Sequence, residues 1–389
     1  MKMQTMKRVL ILTHVASMIG LFNLPNIKLL QEMGYSVDVA CNFKKGNVFD
    51  EKQAEGLKRT LREHHVNYYQ VDFERNVLRV DQNLKVLRQV IFLIRKNNYT
   101  FIHCHTPIGG FIGRVAGQLT HTPTMYTAHG FHFYKGAPKK NWLLYYPIEK
   151  ICSYMTDVLI CINKEDYQLA KRKMKAKRIE YIPGVGIQTE VNPGNMEERT
   201  RLRDKIGVKE KDILLLSVGE LNANKNHMVV LDAIKALKNN NVHYGIAGKG
   251  DLKEKLSNHG QHLGIGNRVH FLGFQSNIGD WYEAADIFVF PSYREGLSVS
   301  LMEAMSHGKP CIVSDIRGNS DLIENSDYRF NPGDSAGLNQ LIQRLLEQDG
   351  LGHRMGQENR ETIKGYSVEH VMKRTRDLYE YIGQKTDSC

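Results

Sequence analysis

The chain has 389 residues, 41% of them hydrophobic, and a formal net charge of +11, a length that suits two domains, each with its own core. The positive excess is one-sided: residues 1–200 carry 29 Lys and Arg against 17 Asp and Glu, and residues 201–389 carry 24 against 25. An anionic partner is therefore expected on the first half, and since no RNP-like aromatic motif, zinc spacing or helix-turn-helix signal accompanies the charge, a membrane surface or phosphorylated lipid is favoured over nucleic acid.

The six cysteines are scattered without a C-x-x-C pair, and Cys41, Cys104, Cys161 and Cys311 fall inside apolar runs. They read as core residues in a reducing compartment. Met1 to Arg8 is polar and basic, and the run Val9 to Leu12 is too short for a signal or membrane-spanning segment. The expectation is a cytoplasmic protein, peripheral at the inner face of the cell membrane.

From the start, strand-type runs alternate with helical spacing: Arg8 to Leu12, a helix around Asn26 to Met33, Ser36 to Ala40, a helix near Gln53 to His64, a strand near Asn67 to Val71, a helix near Gln82 to Lys96, and Thr100 to Cys104. This rhythm predicts an α/β doubly wound parallel sheet. Thr13 to Ser17 reads as the loop after the first strand, at the end where such sheets hold ligands, making His14 and Ser17 candidate acceptor contacts. An ordinary loop accounts for them equally well. Gly109, Gly110 and Gly113 open a helix without G-x-G-x-x-G spacing, and neither Gly184-Val-Gly186 nor Gly248-Lys-Gly250 completes that motif, which argues against a nicotinamide dehydrogenase. His103-Cys104-His105 lies on a strand, where neighbouring side chains point to opposite faces, so packing is favoured over a metal site. No D-x-D carboxylate pair is placed to hold a divalent ion on a nucleotide sugar, and no metal or other cofactor is expected.

A short strand delivers His129 to its carboxyl end, and Gly130 permits close backbone approach to a ligand. The segment Lys135 to Tyr146 mixes Lys135, Lys139 and Lys140 with Trp142, Leu143, Leu144, Tyr145 and Tyr146. An interfacial helix and a buried amphipathic helix with a basic edge both fit it; the charge excess favours the membrane, and Lys135 joins the acceptor-side candidates. Asn163 looks like a helix cap between strands at Asp157 to Ile162 and Arg178 to Ile182. Pro183 to Gly194 is Gly- and Pro-rich and reads as the interdomain linker.

The second half restarts the rhythm with Ile213 to Val218. Its central stretch is Pro291-Ser-Tyr-Arg-Glu-Gly-Leu-Ser-Val-Ser-Leu-Met-Glu-Ala-Met-Ser-His-Gly-Lys-Pro310, after the strand-type run Asp286 to Phe290. Leu297, Leu301, Met302 and Met305 recur at helical spacing, so strand, loop and helix follow in turn. With Ser298 opening the helix, Glu295 sits in the loop and Glu303 near the second turn, and the N–H groups of Gly296, Leu297, Ser298 and Val299 face outward as an anion site. Carboxylates for hydroxyls beside a phosphate cradle describe a holder for a sugar joined to a phosphate. Taken alone, two surface glutamates on a solvated helix start would read the same way.

This stretch, with Glu295-Gly296, Glu303-Ala304-Met305, Gly308-Lys309-Pro310 and the strand Cys311 to Ser314, resembles the nucleotide-sugar signature of family-four retaining glycosyltransferases of the GT-B fold. Thr127-Ala-His-Gly-Phe-His-Phe133, Asn141-Trp-Leu-Leu-Tyr-Tyr-Pro147 and Gly219-Glu220-Leu221 with Lys225-Asn226 are most similar to bacterial capsular and exopolysaccharide enzymes. The resemblance implies two Rossmann-like doubly wound domains facing each other across a cleft: 1–185, binding acceptor and rejoined by a last helix in 367–389, and 186–366, binding nucleotide sugar. It implies that Glu295 holds the donor sugar, that Glu303 holds the ribose and that His129 faces the reacting sugar. Lys225 and Arg294 would supply charge for the diphosphate, and Phe274 would contact the base. Where the family commonly has arginine, this chain has Glu220, so half of the usual cationic clamp is missing.

The function so implied is metal-independent transfer of a sugar, an N-acetylated hexose, from a UDP-sugar to an undecaprenyl-diphosphate-linked saccharide. A nucleotide-sugar epimerase of similar fold would convert donor without acceptor, and a non-catalytic partner of a polysaccharide assembly complex would bind donor without turnover.

Overall fold

The computed structural model describes residues 7–46, 49–74, 79–191, 195–237 and 239–385. Pro193 and Gly194 of the expected linker, and Met1 to Met6 of the basic leader, lie outside them. The chain divides into two compact units, Met1–Gly186 with Val368–Cys389, and Ile187–Ser367.

The sheet of the first unit has the order β3 (Asn67–Gln70), β2 (Ser36–Asn42), β1 (Arg8–Val15), β4 (Phe101–His105), β5 (Thr124–Ala128), β6 (Val158–Cys161), β7 (Arg178–Tyr181). All its neighbours pair in parallel. Helices cover both faces, so β4, β5 and β6 are buried at every position; β6 is accordingly a continuous apolar run, while β4 and β5 admit the buried polar residues His103, His105, Thr124 and Thr127. The order reverses between β1 and β4, the switch point at which doubly wound sheets hold ligands.

The expected loop at Thr13 to Ser17 is not formed. β1 continues to Val15, which pairs with Asn42 after a register shift, and the helix Ala16–Phe22 follows without a break. Pairing with β2, remote in sequence, overrides the local polarity of Thr13 and His14. His14 is thus a half-buried strand-end residue, and Ser17 is buried in a helix's first turn.

On one face of this sheet the last helix, Val368–Gln384, places Val371, Leu378, Tyr379 and Ile382 in the core with Val9, Ile11 and Phe101. On the other, the helix Pro107–Thr120 packs closely: a Cβ on Gly110 would lie 2.3 Å from the Tyr126 ring, and one on Gly113 would lie 2.2 Å from Cys104 Sγ. Those glycines serve helix–sheet contact. The fully buried Arg114 guanidinium lies 4.1 Å from the Tyr126 ring centroid and donates to both Glu149 oxygens at 3.0 and 2.6 Å.

The second unit repeats the scheme with the parallel order β10 (Val269–Gly273), β9 (Val242–Ala247), β8 (Ile213–Val218), β11 (Ile287–Phe290), β12 (Cys311–Ser314), β13 (Arg329–Phe330). Both units are Rossmann-like, as expected. Cys41, Cys104, Cys152, Cys161 and Cys311 are buried and reduced. Among the described residues no helix is long and apolar enough to cross a membrane.

Candidate active site

In the second unit, the loops after β8, β9, β11 and β12 meet at the carboxyl end of the sheet. After β8, the Asn222 side chain accepts from Lys225 N–H and closes a single 3-10 turn, Ala223–Lys225. Asn226 then takes a left-handed φ of 52° and donates to the carbonyls of Pro291 and Pro332. Asn224 ties the same turn to the loop after β11, donating from its side chain to Arg294 O at 2.9 Å and accepting from Tyr293 N–H at 2.8 Å. Lys225 is thereby placed with Nζ 2.8 Å from Glu295 Oε1 and 4.7 Å from the Phe290 ring centroid. The loop after β9 fits against these: a Cβ on Gly248 would come 1.9 Å from Gly219 O, and one on Gly250 would come 2.5 Å from Leu221 O. Gly-Lys-Gly is thus a close-packing requirement.

Ser298 caps the helix Val299–Ser306 and accepts from Leu301 N–H; its own N–H and those of Leu297 and Val299 lie at the helix start, the end of a helix that favours an anion. Glu303 lies on that helix, accepts from Tyr282 O–H at 2.9 Å, and is raised above the usual carboxylate range by burial. Arg294 is exposed, and its carbonyl rather than its guanidinium holds the loop. Phe274 is 64% exposed just past β10. Glu220 is exposed and accepts from Asn222 Nδ2.

Sequence reasoning missed Arg317, 6% exposed, whose Nε donates to Glu295 O at 3.3 Å. Next to it, Gly318 has a left-handed φ of 79°, and a Cβ there would meet Gly296 O at 2.3 Å. The loop after β12 therefore presses directly on the Glu295-Gly296-Leu297 backbone.

In the first unit, β5 delivers His129, and Gly130 turns the chain with a left-handed φ of 119°. His129 Nε2 lies 3.1 Å from His105 Nδ1, and the His105 ring lies 4.1 Å from that of His103, tilted by 40°. His103 is held by Tyr379 O–H at Nδ1 and Thr127 Oγ1 at Nε2, both at 2.9 Å. Burial pushes His129 down to about 4, His103 down to about 3 and His105 well below its usual value, so all three are neutral near pH 7. Alternation along β4 was the available signal that His103 and His105 share a face; their meeting with His129 needed the fold. Lys135 is exposed, and its backbone N–H donates to Glu165.

The helix Lys139–Ser153 turns Trp142, Tyr145 and Tyr146 to the core and leaves Leu143 82% and Ile151 64% exposed, with Tyr154 63% exposed just past its end. The buried-helix account holds for one face, which packs; the other face is apolar and exposed, with Lys135, Lys139 and Lys140 at its start.

The family profile described as Glycosyltransferase Family 4 matches residues 27–188, and that of Glycosyl transferases group 1 matches residues 198–362. EpsD of Bacillus subtilis is 36% identical over 383 residues, 96% of each chain. An Escherichia coli enzyme named as the UDP-Gal:alpha-D-GlcNAc-diphosphoundecaprenol alpha-1,3-galactosyltransferase is 29% identical over 77% of this chain and 79% of its own. Among solved structures, Anabaena HepE, crystallised with UDP and glucose, superposes with a TM-score of 0.78 at 17% identity, covering 96% of this chain and 100% of that one. WaaG, a glycosyltransferase of lipopolysaccharide biosynthesis, superposes with a TM-score of 0.70 at 15% identity, covering 95% and 99%. With both halves matched and a full-length relative above one-third identity, the chain belongs to the family-four glycosyltransferases of the GT-B fold, of the type found in capsule and exopolysaccharide synthesis.

Proposed function

We propose that the protein is a retaining, metal-independent transferase that moves an N-acetylated hexose from a UDP-sugar to an undecaprenyl-diphosphate-linked saccharide at the inner membrane face. The observation that carries this reading is the Lys225–Glu295 pair beside the start of the Val299 helix: a cation, a carboxylate and a row of backbone donors on one small surface. Support for the lipid acceptor comes from the E. coli relative's named substrate, and support for the membrane comes from the bare apolar face of the Lys139 helix.

The donor binds the second unit and the acceptor binds the first. Lys225, Arg294 and the N–H groups of Gly296, Leu297, Ser298 and Val299 stabilise the leaving diphosphate, the largest contribution in such chemistry. Glu303 accepts from the ribose hydroxyls, Glu295 from hydroxyls of the donor sugar, and Phe274 lies against the base. As the anomeric C–O bond breaks, the diphosphate departs with its electron pair. An acceptor hydroxyl attacks the same face of the oxocarbenium-like sugar and passes its proton to the departing phosphate oxygen. His129, neutral at pH 7, hydrogen-bonds the sugar. His14, Ser17 and Lys135 remain assigned to the acceptor side, His14 and Ser17 now as strand-end and helix-start groups.

The test is a panel of UDP-sugars with extracted lipid-linked saccharides, scored by product mass and by anomeric configuration in NMR. One hexose added with its configuration kept is the expected result. Inversion would overturn the retaining mechanism, and conversion of donor without acceptor would mark an epimerase.

A further inference from the structure

The first unit contains a cavity that the chemistry above does not use. It measures about 140 Å³ and is walled by Pro107, Ile108, Phe111, Phe131, Phe133 and Ile148, with Gly130 beside them. A cavity of this order holds one benzene-sized hydrocarbon, and an isoprene unit is slightly smaller. Phe111 and Ile148 are 40% and 38% exposed, so the cavity reaches the surface. There it joins a bare stripe one helical turn apart on the Lys139 helix, Leu144, Ile148 and Ile151.

Pro107 and Ile108, which wall the cavity, also begin the fourteen-residue helix Pro107–Thr120. Gly110 N–H, bonded to Thr106 O at 2.7 Å, closes its first turn, leaving the N–H groups of Ile108 and Gly109 as anion donors. Beside them stands Thr106, 5% exposed, with an Oγ1 that is buried and has no hydrogen-bond partner. That oxygen faces the turn: a Cβ on Gly109 would lie 3.0 Å from it, and also 3.4 Å from His14 N. Glycine here leaves the ends of β1 and β4 little room to spare around this point, which is the switch point of the sheet.

An anion site and a hydrocarbon cavity thus meet at Ile108. Donors and wall that meet at one residue suit a phosphate bonded directly to a hydrocarbon better than a phospholipid, in which glycerol separates the two. Accepting the proposed transferase reading, we infer that the start of the Pro107 helix binds the diphosphate of a polyprenyl diphosphate, with its first isoprene unit in the cavity. The saccharide on that diphosphate would then extend toward His129, whose neighbour Gly130 borders the cavity.

The test is calorimetry on the full chain, saturated with UDP, using farnesyl diphosphate, farnesol and inorganic pyrophosphate as probes. Farnesyl diphosphate should bind with UDP present, at least about tenfold more tightly than either fragment. Thr106→Val should weaken farnesyl diphosphate about tenfold, the loss of one hydrogen bond to a charged group, and leave farnesol unchanged. Phe111→Asp, at a surface position that tolerates polarity, should weaken farnesyl diphosphate and farnesol together and leave pyrophosphate unchanged. Displacement of farnesyl diphosphate by UDP would overturn the inference, as would parental affinity in both variants. If Thr106→Val fails to fold, Phe111→Asp decides alone. Lipid-linked transfer without this binding pattern would overturn the inference and leave the function standing; the pattern without transfer would do the reverse.

Discussion

Lys225 and Glu295 neutralise one another at 2.8 Å, so removing either changes what the other can do. Lys225→Ala takes away a diphosphate cation and should weaken UDP binding about tenfold or more. Glu295→Gln frees that cation, so UDP affinity should hold or rise while turnover falls. Calorimetry beside a transfer assay separates these outcomes, and equal loss of UDP affinity in both variants would make the pair purely structural. Glu303→Ala should cost donor binding ~1.5–3 kcal/mol; unchanged affinity would remove it from the ribose. Because protein donors are assigned the phosphate charge, turnover should survive EDTA, and loss restored by Mg²⁺ or Mn²⁺ would contradict that assignment.

Buried histidines in both units contribute to the acid side of the stability curve, His103 and His227 among them. Burial pushes His103 down to about 3 and His227 down to about 4. Unfolded chains protonate these groups near their ordinary value of about 6.5, so their contribution is complete above that pH. It is lost as pH falls from about 6.5 toward the folded values, at up to about 1.4 kcal/mol per pH unit for each. Melting temperature should therefore fall steadily from pH 6.5 to 4. His103→Gln, which keeps polar reach without the titration, should flatten the slope.

At the scale of the element, the Lys139 helix carries the membrane prediction. Each lysine near an anionic surface contributes about 1 kcal/mol, and salt screens it. The protein should pellet with anionic liposomes at low salt and release at high salt. Replacing Lys135, Lys139 and Lys140 with Glu should abolish pelleting and leave UDP affinity intact; parental pelleting would move the membrane face elsewhere. Much of this level was legible in advance. The buried strands β6 and β11 are continuous apolar runs, and the Ser298 cap, Glu295 and Glu303 follow from local spacing. His14 and Ser17 were misplaced as a loop because pairing of Val15 with Asn42 is invisible to a local reading. The His105–His129 contact and the approach of Arg317 to Glu295 join separate βα loops, so only the sheet order brings them together.

On the scale of the whole molecule, the last helix belongs to the first unit. Ending the chain before Val368 would strip Val371, Leu378, Tyr379 and Ile382 from that core and break the bond from Tyr379 to His103. The truncated protein should lose its first unit to protease while a fragment from Ile187 onward still binds UDP. Protection of both halves would show that the helix is dispensable.

That same return of the chain sets an order of manufacture. The segment 187–367 is continuous and can fold as soon as it leaves the ribosome. The first unit, although made first, must wait for the final helix. At about 5–20 residues per second that wait lasts roughly 10–40 s, during which the seat of Tyr379 against Phe101 is open apolar surface. A nascent chain halted before Val368 should therefore carry a folded second unit attached to an unfinished first one, with that apolar surface still open.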